Sequence, residues 1–162
     1  MGKAAENLIP VSLELGGKNP CVVAADAKLD FAAKRIAWGK FLNAGQTCIC
    51  PDYLLIDKKV KEPFLKLLVS EIRSFYGENP KESDHFARII NPANVERLAA
   101  LMANSDIFYG GETDSESCYV SPTIVNNVSP EDLNLIKIVD TEDEVIEVLD
   151  TFYKKYNLSP NF

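Results

Sequence analysis

Between Pro20 and Phe75 two short aliphatic runs alternate with two long stretches of helical periodicity, and no other feature of the chain restricts its fold as tightly. Pro20-Cys21-Val22-Val23-Ala24 and Tyr53-Leu54-Leu55-Ile56 have the length and composition of strands. Between them Leu29, Ala32, Ala33, Ile36, Ala37 and Phe41 recur at helical spacing, with Asp30 near the start and Gly45 just past the end. After the second run, Val60, Phe64, Leu67, Leu68, Ile72 and Phe75 fall on one helical face, and Pro63 is tolerable only in the first turn. Strands joined through helices imply βαβ crossovers. The predicted fold class is therefore α/β, an open and mostly parallel sheet flanked by helices.

The flanking sequence extends this pattern. Val11 to Leu15 alternates into Gly16-Gly17 and is expected to form a further short, buried strand. Asn91-Pro92 reads as a cap followed by proline at the first helical position, leading into Val95, Leu98, Ala99 and Met102. Asp106 to Tyr109 and Tyr119 to Val125 are expected strands, separated by the polar stretch Gly110 to Ser117. Leu135 to Val139 reads as a strand, and Thr141-Glu142-Asp143-Glu144 as a capping box opening a last helix.

A net charge of -7 disfavours a nucleic-acid partner, since phosphate backbones are held by clustered Lys and Arg. No secretion signal and no apolar run of membrane-spanning length is present, so a cytoplasmic protein without a membrane segment is expected. Its four cysteines, Cys21, Cys48, Cys50 and Cys118, are expected as thiols, because a 162-residue chain with 46% hydrophobic residues has no need of disulfide staples. Cys48 and Cys50 form a C-x-C pair, yet with His85 as the single histidine and no second close cysteine pair a zinc site is not expected. His85 sits in the charged stretch after Lys81 and is expected on the surface.

Two residues stand out chemically. Cys48 follows the small, polar run Asn43-Ala44-Gly45-Gln46-Thr47 beyond a helix end. It is either a thiol on an exposed bend, reachable by a substrate, or an inert small hydrophobe. Glu14 is an acid inside the apolar run before Gly16-Gly17. Alternation would turn it to solvent, whereas a place at the carboxyl end of a parallel strand would make it a general-base candidate.

The strings Leu13-Glu14-Leu15-Gly16-Gly17-Lys18-Asn19-Pro20 and Asn43-Ala44-Gly45-Gln46-Thr47-Cys48 resemble the glutamate and cysteine signatures of the aldehyde dehydrogenase superfamily, and Glu14 precedes Cys48 by the 34 positions that suit that family. Arg35-Ile36-Ala37-Trp38-Gly39-Lys40-Phe41 and Pro51-Asp52-Tyr53-Leu54-Leu55 are similar to its class-three branch, which includes fatty and aromatic aldehyde dehydrogenases. The resemblance implies NAD- or NADP-dependent oxidation of an aldehyde to a carboxylic acid. Cys48 would be the nucleophile, forming a thiohemiacetal and then a thioester, and Glu14 would activate the hydrolytic water. Leu15 and Gly16 would lie against the nicotinamide.

It further implies that residues 1–162 are a partial catalytic domain, with a cofactor-binding domain and an oligomerisation segment outside it, and that the complete enzyme is a homo-oligomer. A run of Glu-x-Phe-Gly-Pro type, expected by the same resemblance after Val125, is missing beyond Asp132. Two other functions stay open: a noncatalytic α/β assembly module, and a thiol-dependent esterase that needs Cys48 but no hydride acceptor.

Overall fold

The computed structural model describes residues 2–128. The chain divides into two units, residues 1–125 and 126–162, and the description falls almost wholly within the first. The expected strand at Leu135 to Val139, the helix opening at Thr141 and the join after Asp132 lie outside the described residues.

A short helix α1 (Gly2–Ala5) is followed by β1 (Asn19–Val23), α2 (Leu29–Phe41) and β2 (Pro51–Ile56). Strands β1 and β2 pair in parallel, with Cys21 opposite Leu54, Val22 opposite Leu55 and Val23 opposite Ile56. This strand-helix-strand unit is the parallel kernel that the alternating sequence pattern predicts. It is buried on one face only: Val23 is 2% exposed and Val22 70%.

Helix α3 (Lys61–Tyr76) carries Pro63 in its first turn and ends at Gly77, whose N–H makes the last helical bond to the Arg73 carbonyl at 2.8 Å and whose φ of 79° then turns the chain out of the helix. Its inner face presents Phe64, Leu65, Leu68 and Ile72, all buried. Ala33 and Ala37 on α2 are fully buried one turn apart, and small side chains there let the two helices approach closely. The core joins these faces to Val23, Ile36 and Phe41, and continues through Tyr76, Phe86 and Tyr119, whose rings meet edge to face at 4.9 and 6.1 Å.

Helix α4 (Pro92–Met102) starts as its sequence predicts, with Asn91 Oδ1 accepting the Asn94 N–H at 2.9 Å and Pro92 in the first turn. Replacing Asn91 with alanine leaves that amide without its cap and is expected to cost about 1 kcal/mol, read as a shift in the urea midpoint.

Two expectations are corrected. Val11 to Leu15 is not a strand: residues 9–18 have no regular structure, and Val11, Leu13 and Leu15 are all exposed. Alternation there is real in the sequence, but among the described residues no strand pairs with it, and a strand without a ladder has nothing to hold it extended. The single strand expected over Tyr119 to Val125 is two, β5 (Tyr119–Val120) and β6 (Ile124–Asn126). Between them Ser121 Oγ accepts the N–H groups of Gly111 and Glu112 at 2.9 and 3.0 Å, Thr123 Oγ1 also accepts from Gly111 at 3.0 Å, and Pro122 has no N–H to offer a ladder. Strand β6 pairs with β3 (Asp106–Tyr109), and β5 pairs antiparallel with β4 (Thr113–Asp114), which lies inside the expected polar connector.

Candidate active site

The path out of α2 decides where Cys48 stands. A 3-10 turn over Leu42–Gly45 places Asn43, Ala44 and Gly45 consecutively in the left-handed region, with φ of 53°, 53° and 78°. Asparagine and glycine tolerate this conformation. An alanine there costs on the order of 1–2 kcal/mol, offset here by packing of Ala44 against the core. The chain then folds into a tight turn closed by the Cys50 N–H on the Thr47 carbonyl at 3.2 Å, with Cys48 and Ile49 at its corner. Both corner residues are exposed, and Cys48 is a free thiol. Of the two readings open in the sequence, the exposed bend is the one observed.

Three contacts hold this corner. Gln46 bonds in both directions to a segment far along the chain, donating from Nε2 to the Arg88 carbonyl at 3.0 Å and accepting the Ile90 N–H on Oε1 at 3.0 Å. Asn19 donates from Nδ2 to the carbonyls of Cys48 at 2.7 Å and Cys50 at 3.0 Å. Gly17 lies so close to the turn that a Cβ on it would stand 2.1 Å from the Cys48 carbonyl oxygen. The segment bearing Glu14 and the turn bearing Cys48, 34 positions apart in sequence, are thus in direct contact through Gly17 and Asn19.

Glu14 lies three residues before that contact, exposed, and makes no hydrogen bond to Cys48 among the described residues. Leu15 is 74% exposed, and nothing lies within 4 Å of where a Gly16 Cβ would stand. The backbone at 15–16 is therefore an open shelf.

Beneath the turn is a charged group that the sequence did not single out. Lys40 Nζ, from the last turn of α2, pairs with Asp52 Oδ1 at 3.1 Å and approaches Cys50 Sγ at 3.5 Å, while Asp52 Oδ2 accepts the Asn19 N–H at 3.0 Å. Burial pushes the Asp52 carboxyl up, but the Asn19 N–H and the Lys40 ammonium outweigh it and hold the group below its usual range. Cys50 is 3% exposed and donates to the Gly45 carbonyl, so the two members of the C-x-C pair occupy opposite environments. Burial alone pushes the Cys21 thiol up. His85 is exposed, as expected, and no group of His, Cys, Asp and Glu suited to a metal ion occurs among the described residues. No helix among them is long and apolar enough to cross a membrane.

Residues 1–142 match the model of the aldehyde dehydrogenase family. The chain belongs to that family. It is 46% identical over 131 residues to the dimeric NADP-preferring aldehyde dehydrogenase of Rattus norvegicus, covering 81% of this chain and 29% of the relative. It is 45% identical over 130 residues to aldehyde dehydrogenase family 3 member A2 of the same organism, covering 80% and 27%. The solved substrate-bound state of Staphylococcus aureus AldH superposes with a TM-score of 0.74 at 34% identity, over 93% of this chain and 35% of that one. The chain thus spans less than a third of the length of these curated relatives. The class-three resemblance and the α/β fold class both stand on these likenesses.

Proposed function

We propose that the chain carries the catalytic corner of an NAD- or NADP-dependent aldehyde dehydrogenase, with Cys48 as nucleophile and Glu14 as general base. The observation that supports this most is the exposed Cys48 at the apex of a turn abutting Gly17, which brings the acid-bearing segment to the thiol. As thiolate, Cys48 Sγ attacks the aldehyde carbon. In this reading its own backbone N–H donates to the oxygen as negative charge develops there, together with an amide side chain from elsewhere. The open shelf at Leu15 and Gly16 fits a flat ring laid against the backbone, because among the described residues no side chain lies within 4 Å of where a Gly16 Cβ would stand. A nicotinamide bound there would supply the hydride acceptor, and loss of hydride from the carbon held on Cys48 would leave a thioester.

Glu14 then takes a proton from the water that attacks this thioester, which releases a carboxylic acid and returns Cys48 as thiolate. A carboxylate on an irregular exposed segment can swing toward the thioester without breaking a sheet. Residues 1–162 are, in this reading, part of a catalytic domain, and the complete enzyme is a homo-oligomer, as the name of the dimeric rat relative suggests by analogy. Four free thiols fit a reducing compartment such as the cytoplasm.

The test is incubation with a fatty or aromatic aldehyde and NAD or NADP, followed by peptide mass spectrometry and assay of the acid. The expected result is a Cys48-linked acyl group and carboxylic acid formed in step with reduced cofactor. Turnover of esters at Cys48 with no response to aldehyde and cofactor would instead make the chain a thiol esterase. Absence of any acylation at Cys48 would leave a noncatalytic module.

A further inference from the structure

Asn19 spends every donor it has on one small region. Its two Nδ2 hydrogens go to the carbonyls of Cys48 and Cys50, at the apex and foot of the nucleophile's turn, and its backbone N–H goes to Asp52 Oδ2. The last bond is possible because the β1–β2 register slips between Asn19 and Pro20, which releases the Asn19 amide from the ladder. Asp52 is itself fixed from the other side by Lys40. The order of support therefore runs from Lys40 to Asp52, to the Asn19 backbone, and from the Asn19 side chain to the peptide that carries the thiol. A carbonyl held at 2.7 Å fixes the plane of the Cys48–Ile49 peptide, and with it the direction in which the Cys48 side chain leaves the backbone.

We infer that Asn19 is a positioning residue for the nucleophile: it orients Cys48 for attack without touching substrate, and the Lys40–Asp52 pair anchors it. This rests on the reading of Cys48 as nucleophile. Its consequence is a separation of two properties that a merely exposed thiol would lose or keep together. Alkylation by iodoacetamide asks only for a thiolate that reagent can reach from many directions. Acylation by p-nitrophenyl acetate asks for attack along one trajectory, with the oxyanion beside the Cys48 N–H. Loss of the Asn19 donors removes the second requirement and leaves the first.

The experiment compares the native chain with Asn19→Ala, Asn19→Asp and Asn19→Ser, following both reagents at each cysteine by peptide mass spectrometry as a function of pH. The Asn19 N–H and the Lys40 ammonium hold Asp52 below its usual range, so it stays ionised through the neutral to alkaline range and adds no step of its own to the pH profile. In Asn19→Ala acylation of Cys48 is expected to fall about tenfold or more, with its alkylation rate and pH profile retained. Asn19→Asp keeps the shape but not the donors and should match the alanine variant; Asn19→Ser keeps one donor and should fall between. If acylation is unchanged, the inference fails and Cys48 remains the nucleophile. If acylation and alkylation fall together in all three variants, Asn19 is only structural and the inference again fails. A native Cys48 acylated no faster than Cys118 would overturn the nucleophile reading and the inference together.

Discussion

Alanine at Gly17 is expected to abolish the preferential acylation of Cys48, by a factor on the order of a hundred, while lowering stability by about 1–3 kcal/mol. The added methyl would sit 2.1 Å from the Cys48 carbonyl oxygen, 3.0 Å from Asn19 Nδ2 and 3.3 Å from the Cys48 carbonyl carbon. Two of these three neighbours are backbone atoms of Cys48 itself and the third is the amide that holds it, so no flexible side-chain tip can give way. The turn must move by something near 1 Å, and a displacement of that size is what catalytic geometry tolerates least. Peptide-resolved acylation with p-nitrophenyl acetate, alongside thermal melting, measures both effects. Gly16→Ala is the matched control, because its methyl meets nothing within 4 Å, and in this cofactor-free assay it should behave as native. A Gly17→Ala chain acylated at Cys48 at the native rate would show that the two segments are not in register as described.

Phe64→Ala should have the largest effect on stability, about 3–5 kcal/mol. Phe64 is fully buried on the face of α3 that meets α2, within the cluster that includes Val23, Ile36, Phe41 and Ile72. Removing a whole ring there leaves a cavity bounded by helices that are already close-packed and cannot collapse freely. Since domains of this size are stable by roughly 5–15 kcal/mol, the variant should be largely unfolded in modest urea. Trp38→Ala on the outer face of α2, where the ring is 55% exposed, should shift the same midpoint far less. Equal shifts for the two would contradict the packing of α3 on α2.

Helices α2 and α3 were readable from sequence because each buries one stripe against a shared core, and that stripe repeats at helical spacing whatever lies elsewhere in the chain, whereas α4 buries only Val95 and was readable chiefly from its start. Their ends were readable for local reasons too, at the Asn91-Pro92 start of α4 and at Pro63. Val11 to Leu15 misled because alternation records which side chains are apolar and says nothing of whether a partner strand is present. The division of β5 from β6 was hidden for a related reason: the hydroxyls of Ser121 and Thr123 divert amides ten or so positions away, and composition carries no trace of that. At the site, Cys48 and Glu14 were found through long motifs whose residue types suit the chemistry. Asn19 stood inside one of those motifs and Gln46 inside the other, yet neither drew notice, since donating to a carbonyl is a property of three-dimensional register. Lys40 and Asp52 stood inside the two strings similar to the class-three branch, but nothing in the sequence paired them with each other.

Gln46 has one further effect. By giving a hydrogen to Arg88 and taking one from Ile90, it completes for that segment the pairing that an adjacent strand would otherwise supply. The turn that bears Cys48 and the leader of α4 are therefore tied together, and opening one breaks hydrogen bonds of the other. Opening that would be nearly free in an isolated surface turn must here also strip the segment leading into α4 of two backbone hydrogen bonds.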